Sequence, residues 1–85
     1  MPTKSVVVGS AVGLHARPAA IISEAAGELD SEVLIGIPDG KHVDASSALL
    51  IMTLGAKCGD TVEVIGVDQA DVDAIAVLVE KDLDA

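Results

Sequence analysis

The spacing of apolar and polar positions changes along the chain, and each change marks an element. Lys4–Val8 is short and β-branched, and Gly9–Gly13 is rich in Gly, Ser and Ala, which predicts a strand followed by a loop. From Ala16 the residues are helix formers, with Ala19, Ala20, Ile21, Ile22, Ala25 and Ala26 leading to Gly27. Pro18 would break a helix interior, but a first turn has no N–H partners to lose. The helix is therefore expected to start just before Pro18, with His15 at about the N-cap. Val33–Ile37 reads as a second strand, Pro38-Asp39-Gly40 as a turn, and Lys41–Asp44 as the returning strand of a hairpin. Asp44-Ala45-Ser46-Ser47 supplies capping residues ahead of a short helix, Ala48–Met52, closed by Gly55. Lys57–Asp60 is expected to turn, and Thr61–Val67 to form a fourth strand with Val62, Val64 and Gly66 on one face. Asp68–Asp71 places acids where a helix dipole favours them, and Val72, Ile75, Ala76, Val79 and Leu83 form a stripe at helical spacing.

The order is thus β-α-β-β-α-β-α. It predicts an α+β fold, a two-layer open-faced sandwich with a four-stranded antiparallel sheet and three helices on one face. With 85 residues there is room for one core, so residues 1–85 are expected to form a single domain. Periodicity does not reveal the order of the strands.

Composition narrows the function. Hydrophobic residues make up 51% of the chain, yet none is Phe, Trp or Tyr, so the core must consist of Val, Ile, Leu, Ala and two Met. Functions that need an aromatic platform are excluded, including base stacking and cation–π cages. The net charge of −9 also opposes a phosphate backbone, so no nucleic-acid partner is expected. Cys58 alone cannot form an internal disulfide, and with two histidines it falls short of a usual zinc site, so no metal is expected. No apolar run reaches signal-peptide length or the roughly 18 residues that span a bilayer. A small acidic cytoplasmic protein without membrane insertion is the expectation.

The acidity is uneven. Residues 24–39 and 60–85 carry nearly all of it, whereas residues 1–23 and 40–59 are slightly basic. A site for an anionic group is expected in those two stretches. The first contains Gly13-Leu14-His15-Ala16-Arg17-Pro18-Ala19-Ala20, which puts an imidazole at a helix start with an arginine two residues on. Helix N-termini bind anions through their N–H groups and dipole, and a guanidinium adds planar donors suited to phosphate. A neutral imidazole beside such a cradle is a nucleophile placed to accept a phosphoryl group. The bland reading is a capping His15 and a solvated Arg17. Against it, no acid lies within eight residues of His15, and Ser, Asp or Asn would cap better.

At these residues the chain resembles the HPr family, the histidine-containing phosphocarriers of the bacterial phosphoenolpyruvate-dependent sugar phosphotransferase system. A second stretch, Val43-Asp44-Ala45-Ser46-Ser47-Ala48-Leu49-Leu50-Ile51-Met52-Thr53-Leu54-Gly55, resembles the family's other signature region. The resemblance implies that His15 takes a phosphoryl group from phosphorylated enzyme I and passes it to the IIA domain of a sugar permease. Arg17 would steady that group, and the N–H groups of Ala16 and Arg17 would cradle it. The chain would then be a monomeric carrier rather than an enzyme with turnover, and it would need no cofactor. The implied partner face comprises Ala16, Arg17, Ala20, Ile21, Ala48, Leu49, Met52 and Gly55.

Some members are also phosphorylated on a serine at the start of the second helix, and counting back from Thr53-Leu54-Gly55 the match is Ser47. A serine in that place is first of all a helix cap, so both readings stand. Glu24, Gly27, Ser46 and Leu50 occupy positions where members often carry lysine, which shifts the expected partner contacts toward apolar packing and Arg17. Cys58 is expected to be a small, at least half-buried side chain, and His42 a surface strand residue. The alternatives are a relay of the same fold for nitrogen regulation or dihydroxyacetone phosphorylation, or a regulatory binding module. Modules of that kind lack the active histidine. A true enzyme such as a phosphatase would need a pocket and further acid–base groups, which one short motif does not supply.

Overall fold

The structure, a computed structural model, describes residues 2–81. Its elements are β1 (Thr3–Val7), α1 (Ala16–Gly27), β2 (Val33–Gly36), β3 (His42–Asp44), α2 (Ala48–Thr53), β4 (Thr61–Gly66) and α3 (Gln69–Glu80). The expected order holds, with three helices and a four-stranded antiparallel open sheet. Boundaries move by a residue or so. Val8 leaves the β1 ladder and its N–H donates to Asp60 O at 2.9 Å, while Ile37 and Lys41 close the hairpin instead of extending its strands. Leu83, expected on the α3 stripe, lies outside the described residues.

The strand order, β1-β4-β2-β3, was not legible from periodicity. Val6 faces Val62, and Ile35 faces both Val64 and Val43. These five are buried, as is Val33, so one face of the sheet is a continuous β-branched surface under the helices. Ile22 of α1, Ile51 of α2 and Ile75 of α3 come down on it with no side-chain exposure to speak of. Burying a Val or Ile contributes about 1.5–3 kcal/mol, so many such residues stabilise the fold without any aromatic ring.

The other face of the sheet is open. There Gly36 has no side chain, and an added Cβ would lie 2.6 Å from the ring of His42. The imidazole crosses this gap to reach Glu63 on β4, with Nε2 2.9 Å from Oε1. His42 is therefore half-buried and paired rather than a solvated strand residue. Cys58 departs from expectation the other way and is exposed. Its turn is closed by Asp60 N–H donating to Lys57 O and by Lys57 N–H donating to Asp60 Oδ2, which leaves Cys58 and Gly59 at the outer positions.

In the hairpin, Gly40 N–H donates to Ile37 O at 2.8 Å, and Asp39 takes the left-handed position at φ 60°. Asp tolerates that conformation better than most residues. Asp68 caps α3 by accepting from Ala70 N–H, a role beyond the dipole effect expected of the acids there.

Candidate functional site

The loop ahead of α1 is fixed by a close backbone contact. Leu14 N–H donates to Ala56 O at 3.0 Å, and the preceding Gly13 has φ 74°. A Cβ on Gly13 would stand 2.5 Å from Ala56 O and 2.9 Å from Lys57 Cα, so only glycine lets the two loops meet here. Leu14 is buried and anchors the loop from below. The next residue, His15, is thereby left on the surface at the N-cap of α1.

His15 has extended backbone angles, φ −87° and ψ −164°, and its carbonyl accepts the first helical bond, from Ala19 N–H at 2.9 Å. Its side chain makes no capping bond. A cap whose side chain does not cap leaves its ring available for other chemistry. Pro18 is buried in the first turn, where its missing N–H costs nothing. The N–H groups that point past the helix end are consequently those of Ala16 and Arg17. That turn contains no acid, and Ala16 and Arg17 are exposed. The geometry is an open helix end bearing an imidazole and a guanidinium, suited to a small dianion delivered from outside.

Sequence reasoning missed the part played by the second loop. Lys57 directly follows Ala56 and is exposed, so a second basic residue comes to the end of α1. The signal was present in the mild positive charge of residues 40–59, but the Gly13–Ala56 contact that gives it meaning is long-range.

The residues expected on the second helix lie beside this end. Leu49 is 71% exposed, and Leu50 and Met52 also reach the surface, while Ile51 between them is buried. Ala20 and Gly55 are exposed, and Ile21 and Ala48 half-buried. Three large apolar side chains exposed on one six-residue helix cost solvation and commonly mark an interaction surface. Ser47 is the N-cap of α2, its Oγ accepting from Leu50 N–H at 3.3 Å. Ser46 instead folds back on Asp44, donating to Oδ1 through its hydroxyl at 2.7 Å and its N–H at 2.9 Å. The hydroxyl and then the N–H hold the Asp44 carboxyl below the ordinary carboxylate range. Among the described residues no group of three or more His, Cys, Asp or Glu is placed to hold a metal ion, and no helix is long and apolar enough to cross a membrane.

The exposed histidine stands at a helix end on a four-stranded open sandwich, and comparison with known proteins identifies the family. The family model described as "PTS HPr component phosphorylation site" matches residues 2–81. The chain belongs to this HPr phosphocarrier family of the phosphotransferase system. It is similar to phosphocarrier protein HPr of Treponema pallidum, 38% identical over 65 residues that cover 76% of this chain and 73% of that one. It is also 38% identical to phosphocarrier protein HPr of Mycoplasma pneumoniae over 79 residues, 89% of this chain and 90% of that one. The crystal structure of a phosphocarrier protein HPr from Bacillus anthracis superposes with a TM-score of 0.83 at 31% identity, covering 91% of this chain and 94% of that one.

Proposed function

We propose that residues 1–85 act as a single phosphocarrier domain in the cytoplasm, in which His15 accepts a phosphoryl group from phosphorylated enzyme I and donates it to the IIA domain of sugar permeases. The observation that carries this is the exposed His15 ring at the N-cap of α1, free of any capping bond, in a chain of the HPr family. A ring nitrogen of His15 attacks the phosphorus of the enzyme's phosphohistidine, the bond to the donor nitrogen breaks, and a phosphohistidine forms on His15. Arg17 and the N–H groups of Ala16 and Arg17 neutralise charge on the transferring oxygens, which is electrostatic stabilisation of the kind that dominates phosphoryl transfer. His15, Ala16 and Arg17 are all exposed, as befits a group handed between proteins rather than a bound small substrate. The exposed side chains of Leu49 and Met52, with Ala20, Ile21, Ala48 and Gly55, form the surface on which each partner docks. Ser47 is first a cap, and its hydroxyl at the border of that surface is the candidate regulatory phosphorylation site.

The test is incubation with phosphoenolpyruvate and enzyme I of the same organism. Acid-labile, alkali-stable phosphate is expected on His15, and none on a His15→Ala variant that still melts cooperatively. Labelling of His15→Ala at the wild-type rate would sink the assignment.

A further inference from the structure

A phosphoryl group on His15 adds about −1.5 to −2 charge to a chain whose net charge is already −9. Cations close to His15 therefore govern how firmly the group is held. The chain has 5 basic residues in all. Lys4 is paired with Asp73, its Nζ 3.9 Å from Oδ1, and Arg17 is engaged in a contact of its own. Lys57 differs from both, being exposed and forming no ion pair among the described residues.

The backbone of Lys57, by contrast, is held from two sides. Its N–H donates to Asp60 Oδ2 at 2.9 Å, and its carbonyl accepts from Asp60 N–H at 2.9 Å. Asp60 thus closes the turn without pairing the ammonium. One residue earlier, Ala56 O accepts from the N–H of Leu14, the residue before His15. A Cβ on Gly13 would stand 2.9 Å from Lys57 Cα, so the two loops touch two residues ahead of His15. Two residues span at most about 7 Å, roughly the reach of a lysine's flexible four-carbon stem.

We propose that Lys57 is the second cation of the His15 site: when His15 is loaded, the Lys57 ammonium donates to a phosphoryl oxygen and stabilises the loaded carrier. The proposal rests on the reading of His15 as the phosphoryl acceptor. Arg17 must exchange its resting contact for the phosphoryl oxygens, whereas Lys57 gives up only water. The contribution falls on the free, loaded carrier, which separates it from any effect on docking.

The experiment uses enzyme I of the same organism, in catalytic amount, to equilibrate phosphoryl groups between two carriers. In each exchange the bond from phosphorus to one His15 breaks as the bond to the enzyme's histidine forms, and the reverse step loads the second carrier. Isotope-labelled, phosphorylated wild type is mixed with an equal amount of unlabelled Lys57→Gln, and mass spectrometry reads the phosphate on each. At about 0.05 M NaCl wild type should hold about two- to fivefold more phosphate, the factor expected of one exposed charge pair, and the bias should shrink at about 0.5 M. Lys57→Arg should divide phosphate evenly with wild type, because the charge is restored. Lys4→Gln makes the same change in net charge near the start of β1, away from the loop that follows its end, and should also divide it evenly. Lys57→Gln should melt with wild type, since the bonds to Asp60 are made by its backbone. An even division with Lys57→Gln at low salt, an equal bias in Lys4→Gln, or a deficit in Lys57→Arg as large as in Lys57→Gln overturns the proposal and leaves the role of His15 intact. Failure of wild type itself to accept phosphate overturns the parent reading, and the proposal with it.

Discussion

Three glycines near α1 and α2 permit the same substitution in three different backbone settings. Gly13 combines φ 74° with backbone atoms 2.5 and 2.9 Å from where a Cβ would stand. Gly55 has φ 66° but nothing within 4 Å, and Gly27 has neither the unusual φ nor a neighbour. A left-handed conformation costs an L-residue roughly 1–2 kcal/mol. For Gly55→Ala that is the whole expected loss. In Gly13→Ala the Ala56 carbonyl must also retreat, and with it goes the Leu14–Ala56 hydrogen bond, a further ~0.5–1.5 kcal/mol. The expected loss is then about 1.5–3.5 kcal/mol, or a fall in Tm of roughly 6–28 °C for a domain of this size. Gly27→Ala should instead stabilise by about 0.5–1 kcal/mol, because it restricts the unfolded chain without straining the helix. Urea unfolding of the three variants, with m-values compared to confirm a common denatured state, gives the ranking. If Gly13→Ala lies within about 0.5 kcal/mol of Gly55→Ala, the contact with Ala56 is not the constraint described.

Ser47→Ala should lose about 0.5–2 kcal/mol by removing the α2 cap, whereas Ser47→Asp should keep most of the stability; equal losses in thermal melts would show that Oγ does not cap. Asp44 has its carboxyl lowered from 3.8 by Ser46, so the stability it contributes is present above that ordinary value and is lost as pH falls through the lowered folded one. In Ser46→Ala, which removes the hydroxyl bond and keeps the backbone one, the Asp44 carboxyl followed by NMR should titrate at higher pH than in wild type; no change would mean that the Ser46 hydroxyl does not bond Asp44 in solution. Arg17→Lys should slow acceptance of phosphate measurably, and Arg17→Glu far more, in stopped-flow transfer from enzyme I. Equal rates for wild type and Arg17→Glu would make Arg17 a bystander.

The parts of this fold that sequence made legible are those decided within a few residues. Pro18 can stand only in a first turn, Ser47 is a good cap, and Pro38-Asp39-Gly40 is a turn whatever surrounds it. His15 could be placed at the helix start for the same reason. What escaped depends on partners distant in the chain. That β4 enters between β1 and β2 is a matter of long-range pairing, and the same apolar alternation fits other orders. His42 is half-buried only because Gly36 and Glu63 line up with it across three strands. Cys58 was misjudged because a small apolar side chain suggests burial, whereas the Lys57–Asp60 hydrogen bonds set it at the outside of a turn. The second basic residue near His15 came to light only with the contact between Gly13 and Ala56.

The strand order also bears on how the chain is made. Thr3–Val7 leaves the ribosome before the other three strands, yet its strand partner among the described residues is Thr61–Gly66, the last of the four to be made. Until β4 has emerged, β1 has no ladder, β2 and β3 can form only a hairpin, and the sheet cannot close. The loop that bears His15 leads out of that waiting first strand, and its support, Ala56, is likewise made late. The setting of His15 at a helix end is thus tied to the synthesis of β4, and a nascent chain stalled before β4 would carry His15 in an unfolded loop.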